Sequence, residues 1–437
     1  MPTQLCKHFW PPFSQVLGIR VDYLSPTLYV TDVLVLTLFI LWTLSLVIPL
    51  HPFIPASPLS FPRRRESSSI LVIFFLYLLL TILLSGQLFP GLYQLEKIIE
   101  LFFLGFYTDE RVKTKNELQK IILLTSIAVI GQSLLAIAQY IHQGSLSGAL
   151  YLFGERTFTS NTPGIANASI NGQLILRPYA TFPHPNVLAG YLLCMLIMIF
   201  SSLSFPRRGG RKEPACLTGV GESSSSNLKK IIKTLALILG QIALLLTLSR
   251  TAIVLSIILL STVVVIKIKN STQKRLPIIL TTLLIAILAF ACLWYTPVLT
   301  RLKETTFTEQ SFTQRIELFK NALNLIATHP LFGVGVGNYL PSVANIQKPL
   351  TSTLYIQPVH NIFILLTAEI GIIGLLFILA FLFKTYQRLL SSRNHPLLII
   401  LSVILILGLF DHYWLTLQQG QLLLAVILGL CWARKAE

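Results

Sequence analysis

The sequence predicts an all-α fold, a polytopic bundle of about eleven transmembrane helices with a long extracytoplasmic loop that contains an amphipathic helix. Three observations predict it. Of the 437 residues, 54% are hydrophobic and 12% are charged, whereas soluble domains are roughly 25% charged. Apolar runs long enough to cross a ~30 Å hydrocarbon core recur along the chain. Basic residues concentrate in alternate loops between those runs. We therefore treat residues 1–437 as one membrane domain.

The predicted spans are apolar runs that follow one another at short intervals. They are residues 28–50, 69–86, 89–107, 119–142, 185–204, 230–248, 250–267, 277–296, 359–383, 396–414 and 418–433. The run 89–107 is the weakest because it contains Glu96, Lys97 and Glu100. An interfacial helix is the alternative for that run.

The placement of lysine and arginine orients the bundle. If the loop after the first span is cytoplasmic, most of the 34 basic residues fall on the cytoplasmic side, as the positive-inside rule expects. The net charge of +17 then reflects topology, and membrane lipids rather than nucleic acid are the expected partner. The N-terminus lies outside in this arrangement. Either an upstream helix is missing from the sequence, or residues 5–19 dip into the membrane interface.

Three predicted loops exceed the usual connection of about 4–6 residues. Residues 143–184 and 297–358 are predicted to be extracytoplasmic, and residues 205–229 are predicted to be an inserted cytoplasmic loop. Within the second outer loop, Thr313 is placed to cap a helix that ends at His329-Pro330. Its apolar residues recur at helical spacing: Ile316, Phe319, Leu323 and Ile326. We call it the shelf helix, because such a helix can lie along the membrane surface as a shelf or lid.

Two arginines on the outer side are candidates for binding an anionic group. Arg250 lies in the turn Ser249-Arg250-Thr251-Ala252 between two apolar spans, where arginine is costly unless it is paired or hydrated. Snorkelling to lipid headgroups is the alternative, but we favour an anion clamp because guanidinium can bind phosphate in bidentate fashion. Arg315 lies near the start of the shelf helix, and helix N-termini bind phosphate. A solvated helix face is the simpler interpretation of Arg315 from sequence alone.

The start of the span 359–383 carries a second set of candidates. His360 and Asn361 follow the long outer loop directly. An imidazole there can act as a general base near neutral pH, although interfacial anchoring is the commoner role. Glu369 lies deeper in an apolar run. A buried carboxylate in a span is a functional candidate, and its alternative role is to pair with an arginine.

Further polar residues are predicted at the ends of other spans. Asp411 closes the tenth span and can orient an arginine or a sugar hydroxyl. Arg177 and Asn186 bound a proline-rich, aromatic segment that suits either sugar stacking or a rigid re-entrant turn. Residues 333–338 (Gly-Val-Gly-Val-Gly-Asn) lack the strand and the ending of a phosphate loop, so we expect a flexible turn. No metal-ligand spacing is found, and neither a metal nor a cofactor is predicted.

The order and spacing of these segments resemble the O-antigen ligase and polymerase (Wzy-like) superfamily. The resemblance covers roughly residues 177–383. It is carried by the Ser-Arg-Thr-Ala turn, by Gln314-Arg315-Ile316 with His329-Pro330-Leu331-Phe332-Gly333, and by His360-Asn361 with Ala368-Glu369. It implies a metal-independent glycosyltransferase of the inner membrane. Such an enzyme moves a glycan from a polyprenyl (undecaprenyl) diphosphate donor onto an acceptor hydroxyl at the extracytoplasmic face.

The resemblance also implies roles for the candidate residues. Arg250 and Arg315 would hold the diphosphate, and His360 would activate the acceptor hydroxyl. The remaining candidates are predicted to bind substrate: Arg177, Asn186, Asn361, Glu369 and Asp411. The acceptor stays open, because an O-antigen ligase, a polysaccharide polymerase and a protein O-glycosyltransferase share the donor and differ only in a lipid, glycan or protein acceptor. A lipid-linked glycan transporter is the alternative from another class, but transporters place ionisable groups at the midplane of repeated halves.

Overall fold

The computed structural model of the protein describes residues 3–16, 18–47, 65–170, 173–204, 221–269, 310–346 and 356–433. These residues form mainly helices, together with three two-stranded antiparallel sheets. The predicted span 277–296 lies outside the described residues, as do parts of the predicted loops 205–229 and 297–358.

The first half of the described chain contains two small sheets followed by four helices. The strands are β1 (Cys6–His8), β2 (Gln15–Val16), β3 (Ile19–Arg20) and β4 (Thr27–Tyr29). Strand β1 pairs with β4, and β2 pairs with β3. The helices are α1 (Val30–Val47), α2 (Arg65–Leu84), α3 (Leu88–Arg111) and α4 (Lys115–His142). The segment 5–19, for which the sequence allowed an interfacial dip, therefore folds into part of a small strand-and-turn unit.

The second half contains one hairpin and the remaining helices. Strands β5 (Asn167–Ile170) and β6 (Gln173–Leu176) form the hairpin within the predicted loop 143–184. The helices are α5 (Pro185–Ser204), α6 (Gly221–Leu246), α7 (Arg250–Lys269), α8 (Gln310–Thr328), α9 (Tyr339–Ile346), α10 (Ile362–Ser391), α11 (His395–Gly408), α12 (Tyr413–Thr416) and α13 (Gln418–Trp432). Because α6 begins by Gly221, the last part of the predicted loop 205–229 is helical instead.

Several of these helices have the length and hydropathy of membrane spans. Among the described residues, α4, α5 and α10 are long and apolar enough to cross a bilayer. Five shorter apolar stretches accompany them: Val30–Ser45, Ile70–Leu84, Arg250–Thr262, His395–Gly408 and Gln418–Trp432. All of them coincide with predicted runs. The protein is therefore an integral membrane protein with a helical fold, and the number of about eleven spans stays a prediction.

Helix α3 accommodates the charged residues of the predicted run 89–107. The Lys97 Nζ atom lies 2.5 Å from Asp32 Oδ2 of α1 and 3.3 Å from Glu100 Oε2. The Gln418 side-chain amide of α13 donates a hydrogen bond to Asp32. Lys97 is only 5% exposed. Because its charges are paired between helices, α3 belongs to the bundle, which disfavours the interfacial alternative.

Helix α10 is interrupted at Gly371, whose φ of 63° and ψ of −177° are not helical. The interruption frees backbone carbonyls, which need donors inside a membrane protein. The loop after α8 supplies them through Val334 N–H to Ala368 O and Gly335 N–H to Glu369 O, each 2.9 Å. Residues 333–338 do form a turn, as predicted, but the expected flexibility was wrong, since these hydrogen bonds fix the segment against a broken helix.

Replacing Gly371 with alanine is expected to destabilise the protein by about 1–3 kcal/mol. An added Cβ would overlap the Leu331 carbonyl, and the positive φ is unfavourable for any residue with a side chain. Thermal unfolding in detergent measures the effect. Gly131→Ala in α4 is the matched control, because an added Cβ there meets no atom within 4 Å. Equal unfolding temperatures for Gly371→Ala and wild type would contradict the expectation.

Helix α8 occupies the position of the predicted shelf helix. Its end at Thr328, just before His329-Pro330, is as predicted. The predicted cap was wrong, because the helix is already formed at Gln310 and Thr313 lies inside it. A helix start that precedes the sequence signal reflects how weakly a single threonine determines a boundary.

The apolar face of α8 also differs from the prediction. Its buried residues are Leu318, Ala322 and Leu325. Three of the residues predicted to form its apolar face are exposed instead: Ile316 by 39%, Phe319 by 42% and Leu323 by 46%. The helix therefore has two apolar stripes. One packs on the protein, and the other has the composition expected of a helix that rests on a membrane surface.

Candidate active site

The predicted site residues converge where several helices begin or end. Asn186 lies at the start of α5, and Thr247 lies just after α6. Arg250 begins α7, His360 precedes α10, and Asp411 follows α11. Since successive spans run in opposite directions, the start of one helix and the end of its neighbour meet at the same end of the bundle. Hydrogen bonds join the turn before α7, the start of α5 and the end of α11.

Arg177 lies at the buried centre of this region. Its Nε donates to the Thr247 carbonyl at 2.7 Å, and one terminal nitrogen donates to Asn186 Oδ1 at 2.6 Å. The residue is 8% exposed. Thr247 opens the tight turn that leads to Arg250, and one of the two residues between them, Leu248, has a positive φ of 52°. Arg177 therefore joins the turn before α7 to the start of α5.

Asn186 continues this connection towards α11. Its Nδ2 donates to Asp411 Oδ2 at 2.9 Å. The other carboxylate oxygen of Asp411 accepts a hydrogen bond from the His412 backbone N–H at 2.8 Å. We call the series Arg177–Asn186–Asp411 the polar chain. It fixes three residues that are far apart in sequence and satisfies their buried polar groups.

His360 lies beside the end of the polar chain. Its ring packs edge-to-face against His412, with centroids 5.0 Å apart and planes at 78°. Nitrogen and oxygen atoms of His360, Asp411 and His412 lie within 4.8 Å of one another. The Nδ1 atom of His360 is buried and has no hydrogen-bond partner within the described part of the chain. The hydrogen-bonding capacity of this nitrogen is therefore unused within the described part of the chain.

The environment keeps both histidines uncharged near neutral pH. Burial lowers the pKa of His360, Asp411 partly opposes this shift, and the positive charge of Arg315 lowers the pKa further. Burial lowers the pKa of His412 to about 4, with the same two charges acting in the same directions. A neutral imidazole has a lone pair, so His360 can accept a proton.

One predicted arginine, Arg315, supplies positive charge to this group, and a second, Arg250, lies beside the turn that Arg177 holds. Arg315 extends from α8 and is exposed, and its charge acts on both His360 and His412. Arg250 is half-buried at the start of α7, immediately after the turn that Arg177 holds. The region thus combines arginines from separate elements with a neutral histidine, an arrangement that suits an anionic ligand.

The remaining two candidates are engaged in holding the backbone. Asn361 caps α10, because its side-chain oxygen accepts hydrogen bonds from Phe363 N–H at 2.9 Å and Ile364 N–H at 3.1 Å. The Glu369 carboxylate accepts hydrogen bonds from the backbone N–H groups of Gly337 and Tyr339 at the break in α10. Substrate binding by Asn361 and Glu369 stays a prediction, and the contacts in the described region favour structural roles for both.

The segment between Arg177 and Asn186 is a buried, rigid connection. Tyr179 is 2% exposed. The side-chain oxygen of Gln139 accepts hydrogen bonds from Tyr179 N–H at 3.0 Å and Ala180 N–H at 2.7 Å. Of the two alternatives for this segment, these contacts favour the re-entrant turn, because a buried tyrosine cannot stack on a sugar.

His412 and His184 belong to the site and were missed by the sequence analysis. His412 packs against His360 and follows Asp411 directly. The His184 Nδ1 atom accepts a hydrogen bond from Asn186 N–H at 3.2 Å. The available signal was proximity in sequence, since each histidine lies within two residues of a candidate that was chosen.

Replacing Asn186 with alanine is expected to lower the rate of the glycan transfer that the resemblance implies about 10²-fold, which is the cost of a displacement of about 1 Å in an active site. The change removes both hydrogen bonds of the bridge between Arg177 and Asp411. Asn324→Ala is the matched control, because Asn324 is exposed on α8. Turnover assays on both purified variants measure the effect, and equal rates would show that the bridge does not position the site.

A comparison with known families agrees with the resemblance drawn from the sequence. Residues 235–379 match the family model described as O-antigen ligase. The matched segment contains Arg250, Arg315 and His360, while the polar chain lies outside it. A search of the curated proteins found no match. Over residues 235–379, the match confirms the resemblance that the residue pattern indicated.

Proposed function

Because residues 235–379 carry a domain of the O-antigen ligase family, we propose that this membrane enzyme is a glycosyltransferase with a lipid-linked donor. Its donor is a glycan on polyprenyl (undecaprenyl) diphosphate. The acceptor is a hydroxyl group at the extracytoplasmic face of the inner membrane. The observation that carries the proposal is the neutral His360 beside the polar chain, within reach of the Arg315 charge.

The donor requires fixed positive charge at the bilayer surface. Glycosyl transfer breaks the bond between the anomeric carbon and the diphosphate oxygen, which leaves with the electron pair. Arginine stabilises that developing charge because guanidinium stays protonated and can contact two phosphate oxygens. Arg250 and Arg315 are the residues we assign to this role. Arg177 is buried and paired, so it positions the turn that carries Arg250.

The acceptor requires a base. The acceptor oxygen attacks the anomeric carbon, and its proton passes to the free nitrogen lone pair of His360. The resulting imidazolium lies beside Asp411, whose charge raises the pKa of His360 and so stabilises the protonated form. Asp411 is held for this purpose by Asn186 and by the His412 backbone.

The break in α10 bears on the transporter alternative. Transporters often place ion sites at broken helices near the midplane. Here the break is filled by backbone hydrogen bonds from Val334 and Gly335, and Glu369 is tied to two backbone N–H groups. A filled break leaves no open coordination site, so we favour transfer over transport.

An in vitro assay tests the proposal. Purified full-length protein in detergent is given polyprenyl-diphosphate glycan, with a chelator and no added metal. Longer glycans on the carrier alone would identify a polymerase. Product that requires an added lipid or protein acceptor would identify a ligase or a protein O-glycosyltransferase. Absence of transfer to every acceptor, together with movement of the donor across liposome membranes, would overturn the proposal in favour of a transporter.

A further inference from the structure

The proposed transfer reaction uses His360 and Asp411 but gives no role to the side chain of His412. Together these three residues form a cluster that we call the His–Asp–His cluster. One potential ligand atom from each lies within 4.8 Å of the others. His360 comes from a different part of the chain than the other two, so no local metal-binding motif could have shown the cluster in the sequence.

Thr416 holds the His412 ring from one side. Its Oγ1 lies 2.6 Å from His412 Nδ1 and 3.2 Å from the His412 carbonyl oxygen. The direction of the shorter hydrogen bond depends on the His412 tautomer. In the tautomer that we assign for metal binding, the hydroxyl donates to the carbonyl and accepts from Nδ1–H, and the lone pair of neutral His412 is on Nε2. A hydrogen bond on the opposite ring nitrogen is the arrangement found around metal-bound histidines.

The other two members also have lone pairs available. Each carboxylate oxygen of Asp411 accepts one hydrogen bond, from Asn186 and from the His412 backbone. A carboxylate has roughly four lone-pair sites, so capacity remains. The buried Nδ1 of His360 has no hydrogen-bond partner among the residues the structure describes. The cluster thus offers two imidazoles and one carboxylate, oriented by neighbouring groups.

We propose that His360, Asp411 and His412 bind a divalent transition-metal ion of the Zn²⁺ type, and that the bound ion inhibits transfer by occupying the lone pair of His360. Two imidazoles and a carboxylate suit zinc, with a fourth position left open. Tetrahedral zinc places its donors ~3.3 Å apart, given bonds of about 2.0–2.2 Å. The ligand atoms of the cluster lie within 4.8 Å of one another, so zinc binding requires them to move closer together. The inhibition rests on the proposed function, whereas the binding does not.

Arginine limits the affinity of this site. The Arg315 charge acts on His360 and His412, and it repels a cation held between them. Asp411 is the anion that offsets it. We therefore expect Arg315→Gln to bind zinc more tightly than wild type, the opposite of its expected effect on an anionic donor. Tighter zinc binding by Arg315→Gln would distinguish a cation site from a general loss of structure, because a damaged protein would bind zinc more weakly.

Calorimetric titration of Zn²⁺ into chelator-treated protein without a polyhistidine tag tests the binding. We expect one zinc ion per chain in wild type. His412→Gln is expected to weaken binding at least tenfold, and Thr416→Ala about 10–100-fold through loss of the orienting hydrogen bond. His329→Gln is the control, because His329 is exposed and outside the cluster. Absence of zinc binding in wild type, or equal affinity in His412→Gln, would overturn the site.

The same protein in the transfer assay separates this inference from the proposed function. Zinc is expected to inhibit wild type reversibly, with transfer restored by chelator. Glycan transfer by a protein that does not bind zinc would overturn the proposed metal site and leave the proposed enzyme function intact. Zinc binding by a protein that transfers no glycan would overturn the proposed enzyme function and leave the metal site intact. Transfer that chelator abolishes and zinc restores would overturn the inhibitory role.

Discussion

Replacing His360 with glutamine is expected to lower kcat for glycan transfer about 10²–10⁴-fold, the usual contribution of a general base. Glutamine keeps a polar side chain of similar length but cannot take up the acceptor proton. The Nδ1 atom of His360 is buried and has no partner among the described residues, so its proton-accepting capacity is not already used. Binding of the donor should be nearly unchanged, because the proposed function assigns the diphosphate to Arg250 and Arg315.

The matched control for this variant is His329→Gln. His329 is exposed just after α8, and its Nδ1 lies 2.9 Å from the hydroxyl of Thr328. We expect wild-type turnover from it. Initial rates and donor affinity are measured on both variants after their unfolding temperatures have been shown to match wild type. A His360→Gln enzyme within about threefold of wild type would exclude this residue as the base.

Replacing Lys97 with methionine is expected to cost about 3–5 kcal/mol of stability, the typical loss when one partner of a buried ion pair is removed. The Lys97 ammonium lies between Asp32 and Glu100, and its side chain is 6% exposed. Without it, two carboxylates from different helices lose the cation that joins them. Methionine fills a similar volume, so the loss of stability measures the removal of the charge and not the creation of a cavity.

Glu96→Gln is the control for this prediction, since Glu96 is the adjacent residue and is exposed. Chemical denaturation in mixed detergent micelles measures both variants. A double variant, Asp32→Asn with Lys97→Met, should lose less than Lys97→Met alone because one of the stranded charges is gone. If Lys97→Met were as stable as Glu96→Gln, the ion cluster would not be holding α1 to α3.

The helices were predictable because the membrane imposes a length and a hydropathy that sequence displays directly. The predicted runs at 119–142, 185–204 and 359–383 each contain most of a helix long enough to span. The interruption at Gly371 was not predictable in the same way. A glycine in an apolar run gives the same hydropathy whether its φ is helical or positive. The N–H groups that donate to the carbonyls freed by the break come from the loop after α8.

The candidate site residues could be selected by type, since charged side chains at span ends are costly without a role. Their partners could not be. Arg177 precedes α5, Asn186 lies in its first turn, and Asp411 lies far along the chain, so only packing brings all three within hydrogen-bond distance. Asn361 and Glu369 show the converse. Their residue types suggested substrate contacts, but helix capping and loop fixation use their polar atoms.

The sequence by itself determined that this protein is an integral membrane protein. It also predicted the side that its basic loops favour, and it selected Arg250, Arg315 and His360 as the candidates for the proposed transfer from a lipid diphosphate. These inferences depend on composition and on the local order of residues, which can be read from each apolar segment without knowledge of its neighbours in the fold. Only the tertiary structure decided that His412 packs on His360, that Asn186 bridges Arg177 and Asp411, and that α10 is broken. Each of these features depends on contacts between segments that are distant in sequence. Hydrogen bonds act only over about 3 Å, so the packing of the helices decides which of these contacts form.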